Sequence, residues 1–124
     1  MDITSMLANE NKTRIIQELV PGKQITLCHI IANPDDILYK KLGLDPEKNH
    51  KGAIGILTVS PSETAIIAGD LAIKASGASL GFVDRFSGTV ILTGTVSEVE
   101  ASLAAITEYV SAKLGFTVCE ITKT

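Results

Sequence analysis

Residues 52–88, GAIGILTVSPSETAIIAGDLAIKASGASLGFVDRFSG, read as strand, helix, strand and tight turn, and each boundary carries its own chemical signal. Ala53 to Val59 is an uncharged run rich in Ile, Leu and Val, as in a strand buried on both faces. Ser60, Pro61 and Glu63 read as a capping box with proline at the first helical position, so a helix is expected to follow at once. It runs through Ala65, Ile66, Ala68, Leu71, Ala72 and Ala75, with Gly77 as its expected left-handed stop. Phe82 to Phe86 reads as the next strand, and Ser87 and Gly88 turn it back into Thr89–Thr95.

On either side of this unit the pattern repeats. Gln24 to Ala32 is a strand of mostly branched aliphatic residues. Asn33 then caps a short helix with Pro34 first, Asp35 and Asp36 at its positive end, and Gly43 just beyond it. Residues 45–51, DPEKNHK, form a charged surface loop. C-terminal to the hairpin, Ser97 and Glu100 read as a second capping box. The long helix behind it turns Val99, Leu103, Ile106, Val110 and Leu114 inward, Gly115 stops it, and Phe116 to Thr122 closes the chain as a strand. The order β-α-β-α-β-β-α-β implies an α/β (α+β) domain, a ferredoxin-like mixed sheet with helices packed on it. Residues 23–124 form that domain. Residues 1–22 stand apart as an N-terminal arm cut off by Pro21-Gly22, with a mobile polar stretch (1–11) and an apolar segment (13–20) that fits helix or strand.

Composition narrows the function classes. A chain of 124 residues is one domain, and its core of Ala, Ile, Leu and Val has little aromatic content (4%) and no tryptophan. A mean hydropathy of +0.29 is high for a small soluble monomer and points to apolar surface buried between subunits. The net charge of −3 offers no footprint for nucleic acid or anionic lipid. Neither a secretory signal nor a membrane-length apolar run is present, so a cytosolic chain is expected. Cys28 and Cys119 are far apart and suit reduced core thiols; no close pair suggests a metal or cluster, and no cofactor is expected. His29 lies in a strand and His50 in the charged loop, neither beside a nucleophile or paired carboxylate in sequence. G-A-I-G-I lacks the third glycine of a dinucleotide fingerprint and runs on as strand. Catalysis is not expected.

The 52–88 run resembles the start of a bacterial microcompartment shell domain. The arm plus VPGKQITLCHIIANP resembles that domain's last strand moved to the front. That order marks the circularly permuted single-domain shell proteins of the ethanolamine-, propanediol- and choline-utilisation types. The resemblance runs from Arg14 to the C-terminus, and IIQELVPGKQITL, AGDLAIK, GFVDRFSG and CEITKT carry it most specifically.

The resemblance implies a homohexamer that tiles with other shell proteins around a metabolic enzyme set, in a microcompartment shell in the cytoplasm. It implies that Asp84, Arg85, Phe86, Ser87 and Gly88 surround a central pore, placing backbone N–H groups, Ser87 hydroxyls and the charges of Asp84 or Arg85 around a sixfold axis. It also implies that Lys74, one turn after Asp70, lies at the hexamer edge. The family's common arginine before the proline of the displaced strand is Asn33 here, which implies a weaker or differently angled edge contact. Arg14, Ile15, Ile16, Gln17, Glu18 and Leu19 correspond to an arm that caps the pore as a small barrel. Gly52 and Gly55 bracket the start of the central strand, where glycine suits tight packing or a hinge that bends the hexamer. The competing reading is a ferredoxin-like regulatory domain that binds a small ligand at subunit interfaces.

Overall fold

A computed structural model describes residues 22–44 and 52–124. The arm residues Arg14 to Leu19, the loop 45–51 and His50 lie outside them. In chain order the elements are β1 (Gln24–Ile31), α1 (Asp36–Lys41), β2 (Ala53–Ser60), α2 (Thr64–Ala75), β3 (Ser79–Asp84), β4 (Thr89–Gly94), α3 (Val96–Leu114) and β5 (Thr122–Lys123). This is the expected order. The strands form one mixed sheet in the order β3-β4-β2-β1-β5, antiparallel except for the β1–β5 pair.

Alternation along the strands builds two apolar layers. Ala53, Leu57 and Val59 of β2, Val90 and Leu92 of β4 and Ile25, Cys28 and Ile30 of β1 join Ala65, Ala68 and Ala72 of α2 and Val99, Leu103, Ile106 and Val110 of α3 in the main core. Leu114 is half-buried against it. Each fully buried Leu or Ile there contributes about 1.5–3 kcal/mol. On the opposite face Tyr39 of α1, Leu44 and Ile54 form a smaller core with Ile31, Ile56 and Ile91. Register aligns Phe82, Ile91, Ile56, His29 and Thr122 in one row across all five strands on that face.

The boundaries differ from the sequence expectations in six places, most of them for a tertiary reason. Ser60 and Glu63 do not form a capping box, because Ser60 is still paired with Gln24 in the sheet. Helix α2 is instead entered through short turns from Thr64, Ala65 and Ile66 back to Pro61, Ser62 and Glu63, and Glu63 makes no side-chain cap. Gly77 is not left-handed; a Cβ there would lie under 3.0 Å from the Glu98 carboxylate, so the glycine leaves room for that side chain beside the end of α2. Strand β3 spans Ser79–Asp84, leaving Phe86 in the turn. Helix α3 is capped by Thr95 and Glu98, not Ser97 and Glu100: β4 pairs as far as Gly94, and Thr95 is the first residue free of the ladder. Asp35, not Asn33, caps α1, its carboxylate accepting from Ile37 N at 3.0 Å.

The closing strand is also shorter than Phe116–Thr122. Only Thr122 and Lys123 pair with β1, with one isolated bridge between Thr117 and Gln24. A bulge between Ile25 and Leu27 in β1 falls between those two contacts, and bulges disrupt a ladder locally. Gly115 does stop α3 in the left-handed conformation, with φ of 74°.

Candidate pore turn and helix edge

The turn between β3 and β4 is built by Asp84. Its Oδ1 accepts from Phe86 N at 2.9 Å and its Oδ2 accepts from Ser87 Oγ at 2.8 Å, while its carbonyl accepts from Gly88 N at 2.9 Å. Ser87 Oγ also lies 3.0 Å from Thr89 Oγ1. Donors from Phe86 and Ser87, with Arg85 beside them, hold the Asp84 carboxyl below its ordinary value. Gly88 has φ of +78°, and its carbonyl accepts from Val59 N at 2.9 Å, which ties the turn to the central strand. Sequence reasoning missed Val59, whose contact is not visible without the β2–β4 register, and Thr89, a local partner two residues from Ser87.

Arg85, Phe86 and Ser87 are exposed in the turn. The Phe86 ring is 81% exposed, and the Arg85 guanidinium carbon sits 4.9 Å from its centroid, a cation–π contact. The structure therefore brings all five sequence-predicted turn residues together and gives them different tasks. Asp84, Ser87 and Gly88 hold the shape, while the side chains of Arg85 and Phe86 extend into solvent without a hydrogen-bond role in the turn.

Helix α2 carries the second site. Lys74 Nζ lies 2.9 Å from Asp70 Oδ2, an exposed i,i+4 pair that raises the Lys74 pKa through that hydrogen bond and keeps the amine charged. Such pairs add a few tenths of a kcal/mol, so its charge pattern matters more than its stability. Asn33 is exposed in the turn between β1 and α1. The outward side of α2 holds what the sequence analysis did not single out: Ile66, Ile67 and Ile73 are 55%, 44% and 52% exposed. Ala65, Ala68, Gly69 and Ala72 fill its inward side, so the helix has apolar residues both inward and outward, interrupted outward by Asp70 and Lys74. The spacing of AIIAGDLAIKA carries that signal.

The glycines and the titratable core residues are accounted for by packing. A Cβ at Gly52 would lie under 3.0 Å from the Gly94 carbonyl, and one at Gly55 would lie 2.5 Å from Val99 Cγ1. Gly52 is further pinned by the Tyr39 hydroxyl, which donates to its carbonyl and accepts from its N–H. Tight packing thus explains both glycines, and the geometry gives the hinge expectation no support. Burial pushes the Cys28 thiol up to about 12, with Cys119 adding to the effect, which makes it a poor nucleophile at neutral pH. His29 bridges β1 to the C-terminus, its Nδ1 2.6 Å from Thr122 Oγ1 and its Nε2 2.9 Å from Thr124 Oγ1. Among the described residues no cluster of His, Cys, Asp or Glu could hold a metal ion, and no helix is long and apolar enough to cross a membrane.

Sheet, helices and turn together define a BMC-type domain, and residues 53–122 match the BMC domain model. The chain belongs to the BMC-domain family. It is 54% identical over 113 residues to the bacterial microcompartment shell protein EutS of Salmonella typhimurium, covering 91% of this chain and 98% of that one. It is 53% identical over 111 residues to the shell protein PduU of the same organism, covering 90% and 93%. Among solved structures, one described as "CutR flat hexamer, form 1" superposes with a TM-score of 0.78 at 48% identity, covering 85% of this chain and 94% of that one. These relatives are structural shell proteins, and this chain is a structural protein, not an enzyme.

Proposed function

We propose that the chain forms homohexamers that tile into the shell of a bacterial microcompartment. The outward face of α2 carries this conclusion. A lone chain leaves Ile66, Ile67 and Ile73 about half in water, with Phe82 and Val83 of the edge strand β3 also exposed. A closed cyclic interface buries such surface, and the CutR relative is a hexamer.

In that assembly the 84–88 turn surrounds the sixfold opening. The Asp70–Lys74 pair, with Asn33, lies at the rim where hexamers meet. Strand β1 supports the permuted order. It lies outside the matched 53–122 segment yet sits in the sheet between β2 and β5, where a displaced terminal strand belongs.

Native mass by light scattering, at moderate salt to suppress tiling, tests the ring. The expected mass is about six times the 13.1 kDa of one chain. A monomer or dimer would remove the opening and return the lead to a ligand-binding domain.

A further inference from the structure

The second inference rests on the proposed opening and concerns what it admits. The turn uses several of its own hydrogen-bond donors on Asp84. The Phe86 N–H and the Ser87 hydroxyl are committed to the Asp84 carboxylate, and the Gly88 N–H to the Asp84 carbonyl. The Ser87 hydroxyls and the N–H groups of Phe86 and Gly88 are therefore not what this turn offers to a passing molecule. Arg85 is different. Its guanidinium makes no hydrogen bond or ion pair with another described residue and rests on the exposed Phe86 ring, with its forked donors unused.

Asp84 and Arg85 cancel in net charge, so the deciding quantity is contact, not field. A carboxylate already holding donors on both oxygens has little left to coordinate a passing cation. A free guanidinium can meet an oxyanion directly, and such charge-assisted forked bonds are about twice as strong as neutral ones. Sixfold repetition multiplies that one unused group. We propose that Arg85 makes the opening selective for small oxyanions, carboxylate or phosphate, held by guanidinium groups from more than one subunit.

Equilibrium dialysis of the purified protein against inorganic phosphate and, separately, acetate tests this, with native mass recorded on each sample. The expected result is one anion per six chains, weakened about tenfold or more in Arg85→Gln and less in Arg85→Lys. Comparing the two ligands assigns the preference to phosphate or carboxylate. Three outcomes would overturn the proposal while leaving the ring intact: a hexamer that binds neither anion, binding unchanged in Arg85→Gln, or one anion per chain, which is independent surface arginines. A chain that is not hexameric would fail at the earlier step, and the mass separates the two cases.

Discussion

Replacing Gly88 with alanine separates two costs that glycine avoids at the tip of the hairpin. Gly88 has φ of +78°, and an added Cβ would lie under 3.0 Å from the Val59 carbonyl oxygen, with Ser62 Cα at 3.2 Å. Gly115 is the internal control, since its φ is +74° but nothing lies within 4 Å of the position of its Cβ. The left-handed conformation alone costs alanine about 1 kcal/mol, and both variants bear it. Only at Gly88 must backbone move by roughly 1 Å, a further ~1–3 kcal/mol of overpacking. That movement also breaks or stretches the Val59 N to Gly88 O bond, worth about 1 kcal/mol. The totals are about 3–5 kcal/mol for Gly88→Ala and about 1 for Gly115→Ala. At roughly 3–5 °C per kcal/mol for a chain of this size, Gly115→Ala lowers Tm by about 3–5 °C and Gly88→Ala by about 10–20 °C. Both are measured by scanning calorimetry at equal protein concentration, since assembly couples to Tm. If the two variants melt within about 3 °C of each other, the close approach to Val59 is wrong.

Two further outcomes follow from the same geometry. Tyr39→Phe removes the hydroxyl that bonds both the N–H and the carbonyl of Gly52, so it destabilises by about 2 kcal/mol and speeds Gly52 amide exchange; unchanged exchange would count against the clamp. For Asp84 the folded-state pKa is depressed, so its contribution is fully present above the ordinary aspartate value and is lost as pH falls through the lower folded value. The amide resonances of Phe86 and Ser87 are expected to move together in that acidic window, and a midpoint at or above ~3.9 would refute the hydrogen-bonded turn.

Much of the fold was legible because the signals involved are local. An eight-element order follows from where apolar runs change period and where Pro and Gly interrupt them. Gly115 could be placed because a helix that ends in the left-handed region needs glycine whatever surrounds it. The family resemblance and the Asp84–Gly88 turn were equally readable, since GFVDRFSG is contiguous. Cap positions were not readable in the same way. TVSEVE contains both Thr95-x-x-Glu98 and Ser97-x-x-Glu100, two frames of one motif, and only the reach of the β4 ladder to Gly94 selects the first. Ser60 failed as a cap for the matching reason, its backbone being held by Gln24 across the sheet.

Local chemistry thus specifies which segments become helix, strand and turn, because backbone dihedral preferences and side-chain periods act over a few residues. Partners distant in sequence depend on the folded sheet: the Glu98 carboxylate against Gly77, the Tyr39 hydroxyl on Gly52, and the Val59 N–H on Gly88. Strand register and helix packing bring them within contact range, and no short-range signal encodes that. The division of labour in the turn is of this second kind. Five adjacent residues looked alike as pore candidates until the hydrogen bonds of Asp84 showed which donors were already taken and left Arg85 free.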